Sequence, residues 1–210
     1  MHPLSAETPA ERRRRELRED ARRSILDAAE ALLVEDGYER FSMRRLAIRC
    51  GYTAPTIYHY FGDKRRLIDA VLEDGFQRIL DRLRRVGRSA DPAESVREQL
   101  DAFVRFSLEN PTHYRLLSLP RPDDAPPPAS EQAAREQLES PLAALLHEGR
   151  LRASSVDEAV QCLWVVLHGV ISLRTNSPDA QWMENLESFA LDTLLRGLIA
   201  PAERARRGKP

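Results

Sequence analysis

The chain has 210 residues, of which 42% are hydrophobic and 31% charged, and its formal net charge is −1. That length holds one large domain, or a small one beside a medium one, and that balance lets a chain bury a core and remain soluble. The N-terminus is polar and Arg-rich with no apolar stretch behind it, and the longest apolar run is interrupted by His168, Gly169 and Ser172, which argues against a signal peptide and a membrane span.

Residues 1–18 form an Arg-rich start that is expected to be flexible. Seven arginines stand against Glu16, Glu19 and Asp20 over residues 12–23. The run Arg12, Arg13, Arg14, Arg15 reads more simply as a solvated helix start than as an arm inserted into a groove. Ile25, Ala28, Ala29, Leu32 and Leu33 then recur at helical spacing, and Gly37 is placed to stop that helix. Ser42 can cap a helix over residues 43–50 carrying Leu46, Ala47 and Cys50. A short helix over residues 54–60 follows. Asp63 opens a long helix whose apolar face is Leu67, Ile68, Val71, Leu72 and Ile79.

Asp91 and Pro92 restart a helix in the N-cap, N1 arrangement. It runs to Asn110, where Pro111 closes it and opens a short one with Tyr114, Leu116 and Leu117. "PRPDDAPPPAS", residues 120–130, is too Pro-rich to be anything but a loop. Helix is predicted again over residues 131–151, with Pro141 kinking or splitting it, and over residues 156–174 and 181–199. Residues 204–210 read as a frayed tail. No strand alternation or internal repeat is visible, so the chain is predicted all-α. A three-helix N-terminal unit, residues 1–66, precedes a larger helical bundle, residues 67–203.

The densest chemistry lies in "RRLAIRCGYTAPTIYHYFGDK". Over residues 40–66 seven basic residues stand against one acid, Asp63, a local excess that suits a polyanion. A turn at Gly51, which accepts positive φ, makes the helices on either side cross steeply. Such a helix-turn-helix needs Ala47 small at the crossing and Leu46, Cys50, Tyr52 and Ile57 facing inward. Pro55 falls in the first helical turn, where its missing N–H costs nothing. Thr53, Ala54, Thr56, His59 and Tyr60 are then left outward. Thr56 can meet bases or phosphates, Tyr58 and His59 can bond phosphates, and Arg44 and Lys64 flank the helix beside the backbone.

The pattern "FSMRRLAIRCGYTAPTIYHYFGDKRRLIDAVL" resembles the N-terminal signature of the TetR family of bacterial transcriptional regulators over roughly residues 20–75. It shares the hydroxyl of Ser42 before the second helix, Arg44, Leu46-Ala47, Gly51, Ile57-Tyr58, Phe61, and Lys64 three residues before Leu67. Tyr52 and Cys50 depart from the commoner small aliphatic and alanine. The resemblance implies a DNA-facing set of Ser42, Arg44, Thr53, Ala54, Pro55, Thr56, Tyr58, His59, Tyr60 and Lys64. It implies an N-terminal DNA-binding domain and a C-terminal domain that dimerises and binds a small effector. "ENPTHYRLL" with "W-x-x-x-H-G" is similar to a subgroup of that family marked by a Trp/His/Gly motif.

In the C-terminal part, Trp164, Leu167, His168 and Ile171 share one helical face. Phe103, Phe106 and Tyr114 supply further aromatic surface. These five, Phe103, Phe106, Tyr114, Trp164 and His168, are the candidate effector contacts. A core or interface histidine and an aromatic core stripe are the plainer alternatives. The expected partners are an operator in double-stranded DNA, a second copy of the chain, and an apolar or aromatic effector. No membrane partner, metal or other cofactor is implied: the five histidines follow no ligand spacing, and Cys50 and Cys162 lie far apart, as in a reduced, cytoplasmic protein. A ligand-responsive repressor, an activator of the same fold, and a helical enzyme or adaptor are distinguishable by salt-sensitive, sequence-dependent DNA binding. No Ser/His/Asp spacing, Gly-rich phosphate loop or carboxylate pair favours the enzyme.

Overall fold

The first helix begins where the chain supplies a capping box. Thr8 Oγ1 accepts from the Glu11 N–H at 3.3 Å, the Glu11 carboxylate accepts from the Thr8 N–H at 2.8 Å, and Pro9 takes the first helical position. In this computed structural model, which describes residues 8–87, 89–119 and 126–202, helix α1 is Pro9–Arg40. The flexible start expected over residues 1–18 is therefore corrected for residues 9–18, which are helical. Capping at Thr8 and the Arg15–Glu19 pair one turn apart favour the helix there. Residues 1–7 and the expected frayed tail 204–210 lie outside the described residues. Gly37, at φ 73, breaks α1 where a stop is predicted, and the helix resumes for one short turn.

Then follow α2 (Met43–Cys50), α3 (Ala54–Phe61), α4 (Lys64–Val86), α5 (Pro92–Glu109) and α6 (Pro111–Leu117). The last three are α7 (Ala129–His147), α8 (Val156–Asn176) and α9 (Leu186–Leu198). The protein is all-α. The one β feature among the described residues is an isolated antiparallel bridge between Leu151 and Ile199. By length and apolarity alone α8 would also suit a membrane span, but Ala159, Leu163, Leu167 and Ile171 on one of its faces build a protein core.

Two compact units are present. One comprises the described residues of Met1–Asp74 and Arg115–Arg121, the other those of Gly75–Tyr114 and Pro122–Pro210. The first has its own core: Ile25, Leu26, Ala29 and Leu33 from α1, Leu46 from α2, Ile57 and Phe61 from α3, Leu67 and Val71 from α4. Each of the larger side chains (Leu, Ile, Val, Phe), taken fully from water, favours folding by about 1.5–3 kcal/mol before entropy is counted. Asp63 opens α4 as predicted, accepting from the Arg66 N–H at 2.8 Å. Arg23 bonds both oxygens of Asp74, at 2.7 and 2.8 Å, and ties α1 to α4 within this unit.

The second unit packs Val96, Leu100 and Val104 of α5 against Leu142 and Leu145 of α7, Leu163 and Ile171 of α8, and Leu191 and Leu195 of α9. Arg150, whose side chain is 9% exposed, holds Asp91 at 2.7 Å and Glu148 at 3.0 Å. That bond keeps the Asp91 carboxyl below its ordinary range while Asp91 caps α5. Beyond shifts of one or two residues at helix ends, two boundaries differ from the sequence reading. Helix α7 continues through buried Pro141 without a split and ends at His147, because Gly149 at φ 68 turns the chain. Helix α9 begins at Leu186 and not at 181. The preceding residues form turns in which the Trp182 indole N–H bonds the Ser177 carbonyl at 2.9 Å.

Candidate functional site

Two sites emerge, one in each unit. In the first, α2 ends in Gly51 at φ 73, ψ 15, a left-handed conformation that costs a Cβ-bearing residue about 1 kcal/mol or more. The chain then turns through Tyr52 to Thr53, whose hydroxyl caps α3 by accepting from the Thr56 N–H at 3.3 Å. Leu46 and Ile57 are wholly buried, and Ala47, Cys50 and Tyr52 pack half-buried against the same core. This fixes which side of α3 is free. Thr53, Pro55, Tyr58 and His59 are exposed, and Ala54 and Thr56 are half-exposed. A short apolar-backed helix thus offers hydroxyls, a phenol and an imidazole to solvent from one element.

Other members of the expected set have internal partners. The Thr53 and Thr56 hydroxyls bond each other at 2.8 Å, and Ser42 Oγ accepts from the Arg45 N–H at 3.2 Å as the cap of α2. Tyr60 is half-buried, its ring lying edge-on to His59 and packed on the core. Lys64 is half-buried and donates to the carbonyls of Tyr38 at 3.1 Å and Phe41 at 2.7 Å, so its ammonium neutralises the C-terminal end of α1.

The basic excess is also smaller than it reads. Arg49 pairs with both oxygens of Glu35, at 2.5 and 2.8 Å; Arg45 pairs with Asp36, and Arg66 lies 3.7 Å from Asp63. Arg44 is exposed and carries no ion pair among the described residues. One turn along α2, Ile48 is 76% exposed, an apolar neighbour of Arg44 that no sequence argument singled out.

The second site is a cavity of about 510 Å³, within the range that small-molecule sites occupy. Its walls are Phe76, Ile79 and Leu83 of α4, Leu100 and Phe103 of α5, Leu138 of α7, and Val160, Leu163, Trp164 and Leu167 of α8. Glu131, Arg135, Asp157 and Gln161 bring polar groups to the lining. Of the five candidate contacts, Phe103 and Trp164 line the cavity. His168 and Tyr114 adjoin these rings: His168 lies 5.8 Å from Phe103 and 4.0 Å from Trp164, and Tyr114 lies 5.4 Å from His168. Phe106 is not among the lining residues and packs edge-on against His113, at 5.5 Å. The α7 wall, and Gln99 on α5, went unnoticed in the sequence.

His168 has a definite role in this cluster. Tyr114 Oη lies 3.0 Å from His168 Nδ1 and 3.3 Å from the His168 carbonyl. If Nδ1 carries the proton, it donates to the phenol, and the phenol donates to the carbonyl. Only the Nε2 lone pair is then left without a partner among the described residues, whereas the other tautomer would bury an unpaired N–H. Burial lowers the imidazole pKa from 6.5 to about 4. The unfolded chain therefore binds a proton that the folded one does not between those values. The contribution of a neutral His168 is complete above about pH 6.5 and is lost as pH falls towards 4. Chemical denaturation at pH 7 and pH 5 is expected to show the second unit weakened at pH 5, and His168→Gln is expected to shrink that difference.

The two units thus carry an apolar-backed helix-turn-helix and a helical bundle with an apolar cavity. Comparison with known proteins gives the family. Residues 25–71 match the family described as bacterial regulatory proteins, tetR family, and residues 96–196 match the tetracyclin repressor-like C-terminal domain. The chain belongs to the TetR family.

Among curated relatives it is 32% identical over 101 residues to the HTH-type transcriptional activator FasR of Mycolicibacterium smegmatis, covering 48% of this chain and 46% of that protein. It is 33% identical over 101 residues to the HTH-type transcriptional repressor AcnR of Corynebacterium efficiens, covering 48% and 47%. These matches span about half the length of the two relatives. A longer match, 25% identical over 187 residues and covering 88% and 82%, is to the uncharacterized HTH-type transcriptional regulator Rv0681 of Mycobacterium tuberculosis. Among solved structures, a TetR family regulator from Marinobacter aquaeolei VT8 has a TM-score of 0.72 at 17% identity, covering 89% of this chain and 100% of that one. That likeness shows the fold.

Proposed function

We propose that the chain is a sequence-specific DNA-binding transcription regulator, a repressor that acts as a homodimer on a palindromic operator and responds to a small apolar or aromatic effector. The observation that carries this reading is α3. Its inward residues, Ile57 and Phe61, are buried, and its outward residues, Thr53, Pro55, Tyr58 and His59, are exposed side by side at the end of a capped turn. A helix so presented fits the major groove, with Thr56 near base edges and Tyr58, His59, Arg44 and Ser42 towards phosphates. Lys64 belongs to this interface through the backbone it holds. The names of FasR and AcnR carry opposite signs, so activation from the same architecture is the second reading.

Dimerisation is supported by α8 and α9. Cys162, Val165, Gly169 and Leu173 form an exposed stripe on α8, and Phe189 is 56% exposed on α9. Apolar side chains left in water on one face are ordinarily covered by a partner, and Gly169 allows close approach. Effector control is supported by the cavity. Helix α4 is continuous, with Leu67 and Val71 in the first core and Phe76 and Ile79 in the cavity wall. A ligand lowers operator affinity only by its differential affinity for two states, and a hundredfold drop corresponds to ~2.7 kcal/mol.

The test is selection of bound genomic fragments followed by footprinting. The wild type is expected to protect a palindrome with half-site centres about 34 Å, or a multiple of that, apart. Thr56→Ala, Tyr58→Ala and His59→Ala combined should abolish protection while the unfolding transition is kept, since all three lie off the buried face. Unchanged protection of the same palindrome by this variant would remove α3 from the interface.

A further inference from the structure

Gln99 stands apart from the rest of the cavity lining. It sits mid-way along α5, one turn before Phe103, and is 2% exposed. Both ends of its side-chain amide, Nε2 and Oε1, are buried without a hydrogen-bond partner among the described residues. A buried amide with neither end bonded to protein is costly. It is not forced there by packing, because leucine has the size and polarity that the neighbouring Leu100, Leu163 and Leu167 already show. Native proteins bond the great majority of such groups, so an exception inside a cavity of ligand size points to a ligand.

We infer that Gln99 is the polar anchor of the effector, and that the effector is an uncharged, largely apolar molecule carrying a primary amide or a lactam. This rests on the reading of the cavity as the effector site. The chemical argument is one of matching donors to acceptors. The carboxamide offers an N–H and a carbonyl side by side, and a second amide whose N–H lies on the same side as its carbonyl closes a ring of two hydrogen bonds with it. Primary amides and small lactams have that arrangement; open-chain secondary amides, being trans, do not. An ester or ketone would satisfy Nε2 and leave Oε1 unpaired. A carboxylate would also leave Oε1 unpaired, and would bury a charge. The one lining cation among the described residues, Arg135, is already held by Glu139 and by Asp157 at 3.1 Å. A ligand seated against Gln99 must supply both bonds, because each end otherwise has no partner among the described residues.

The experiment uses the full-length protein carrying Trp182→Phe, so that Trp164 is the single indole. Octanamide, methyl octanoate and octanoate, which share one acyl chain, are titrated with Trp164 fluorescence as the readout. Octanamide is expected to bind at least tenfold more tightly than the ester, with the carboxylate weakest. The same series on Gln99→Leu should show the protein folded and thermally no less stable, with the amide's advantage over the ester gone. If ester and amide bind alike to the wild type, or if the amide keeps its advantage in Gln99→Leu, the inference falls while the cavity remains an effector site. If none of the three compounds changes Trp164 fluorescence, the cavity reading itself fails, and the inference with it.

Discussion

Leu173→Glu and Phe189→Glu together will turn the protein into a monomer and weaken operator binding by about 10²–10⁴-fold, the usual loss when two linked half-sites can no longer be engaged at once. Both side chains are at least half exposed, at 50% and 56%, so the charges remain in water in the isolated subunit. They are unfavourable only when a second copy covers the face, where each would be desolvated beside apolar groups. Neither residue lines the cavity, so ligand binding is expected to persist. Light scattering at micromolar concentration, paired with an operator titration, reads both effects. A dimer that survives the double substitution would place the interface on another face.

Ile57→Asp is expected to remove DNA binding by a different route. The side chain is wholly buried between α1, α2 and α4, and a carboxylate there has no counter-charge. The cost is on the order of 4 kcal/mol or more, enough to unfold a unit of this size. Ile57→Val, which removes one methylene, should cost only about 0.5–1.5 kcal/mol and leave operator binding intact. The second unit has a core of its own with no member from α1, α2 or α3. Hydrogen exchange should therefore show α2 and α3 losing protection in Ile57→Asp while α8 and α9 keep theirs. Uniform loss of protection would mean that the two units unfold as one.

The helix-turn-helix was legible because everything it needs is local. A glycine at the turn, a threonine cap, a proline at the first helical position and apolar residues at Leu46 and Ile57 all fall within about a dozen residues. Each of these fixes backbone geometry on its own. The cavity was legible only in part. Trp164 and His168 stand one turn apart on one helix and could be paired by spacing. Leu138 and Arg135 reach the same space from α7 across a Pro-rich segment whose path the sequence does not specify. Gln99 was invisible for a related reason. A polar residue in an amphipathic helix is ordinarily a solvated one, and only tertiary packing reveals that this one is enclosed. The start of α9 was misplaced because residues 181–185 have adequate helix propensity, yet the Trp182 indole bonds back to Ser177.

The partners of Arg45, Arg49 and Arg66 bear on how tightly the proposed DNA-binding surface would grip any DNA. A basic side chain strengthens binding by displacing condensed cations from the phosphates, and log K falls by about 0.9 per such contact for each tenfold rise in salt. Seven basic residues in the stretch would suggest a steep dependence. Yet Arg45, Arg49 and Arg66 face Asp36, Glu35 and Asp63, and Lys64 is turned onto two carbonyls. Arg45, Arg49 and Lys64 can reach a phosphate only by giving up a bond they already have, so their net gain is small. On the proposed function, the surface is therefore expected to bind bulk DNA weakly for its composition. More of its affinity must come from fit to one sequence, as suits a regulator searching for a single operator among many other sites.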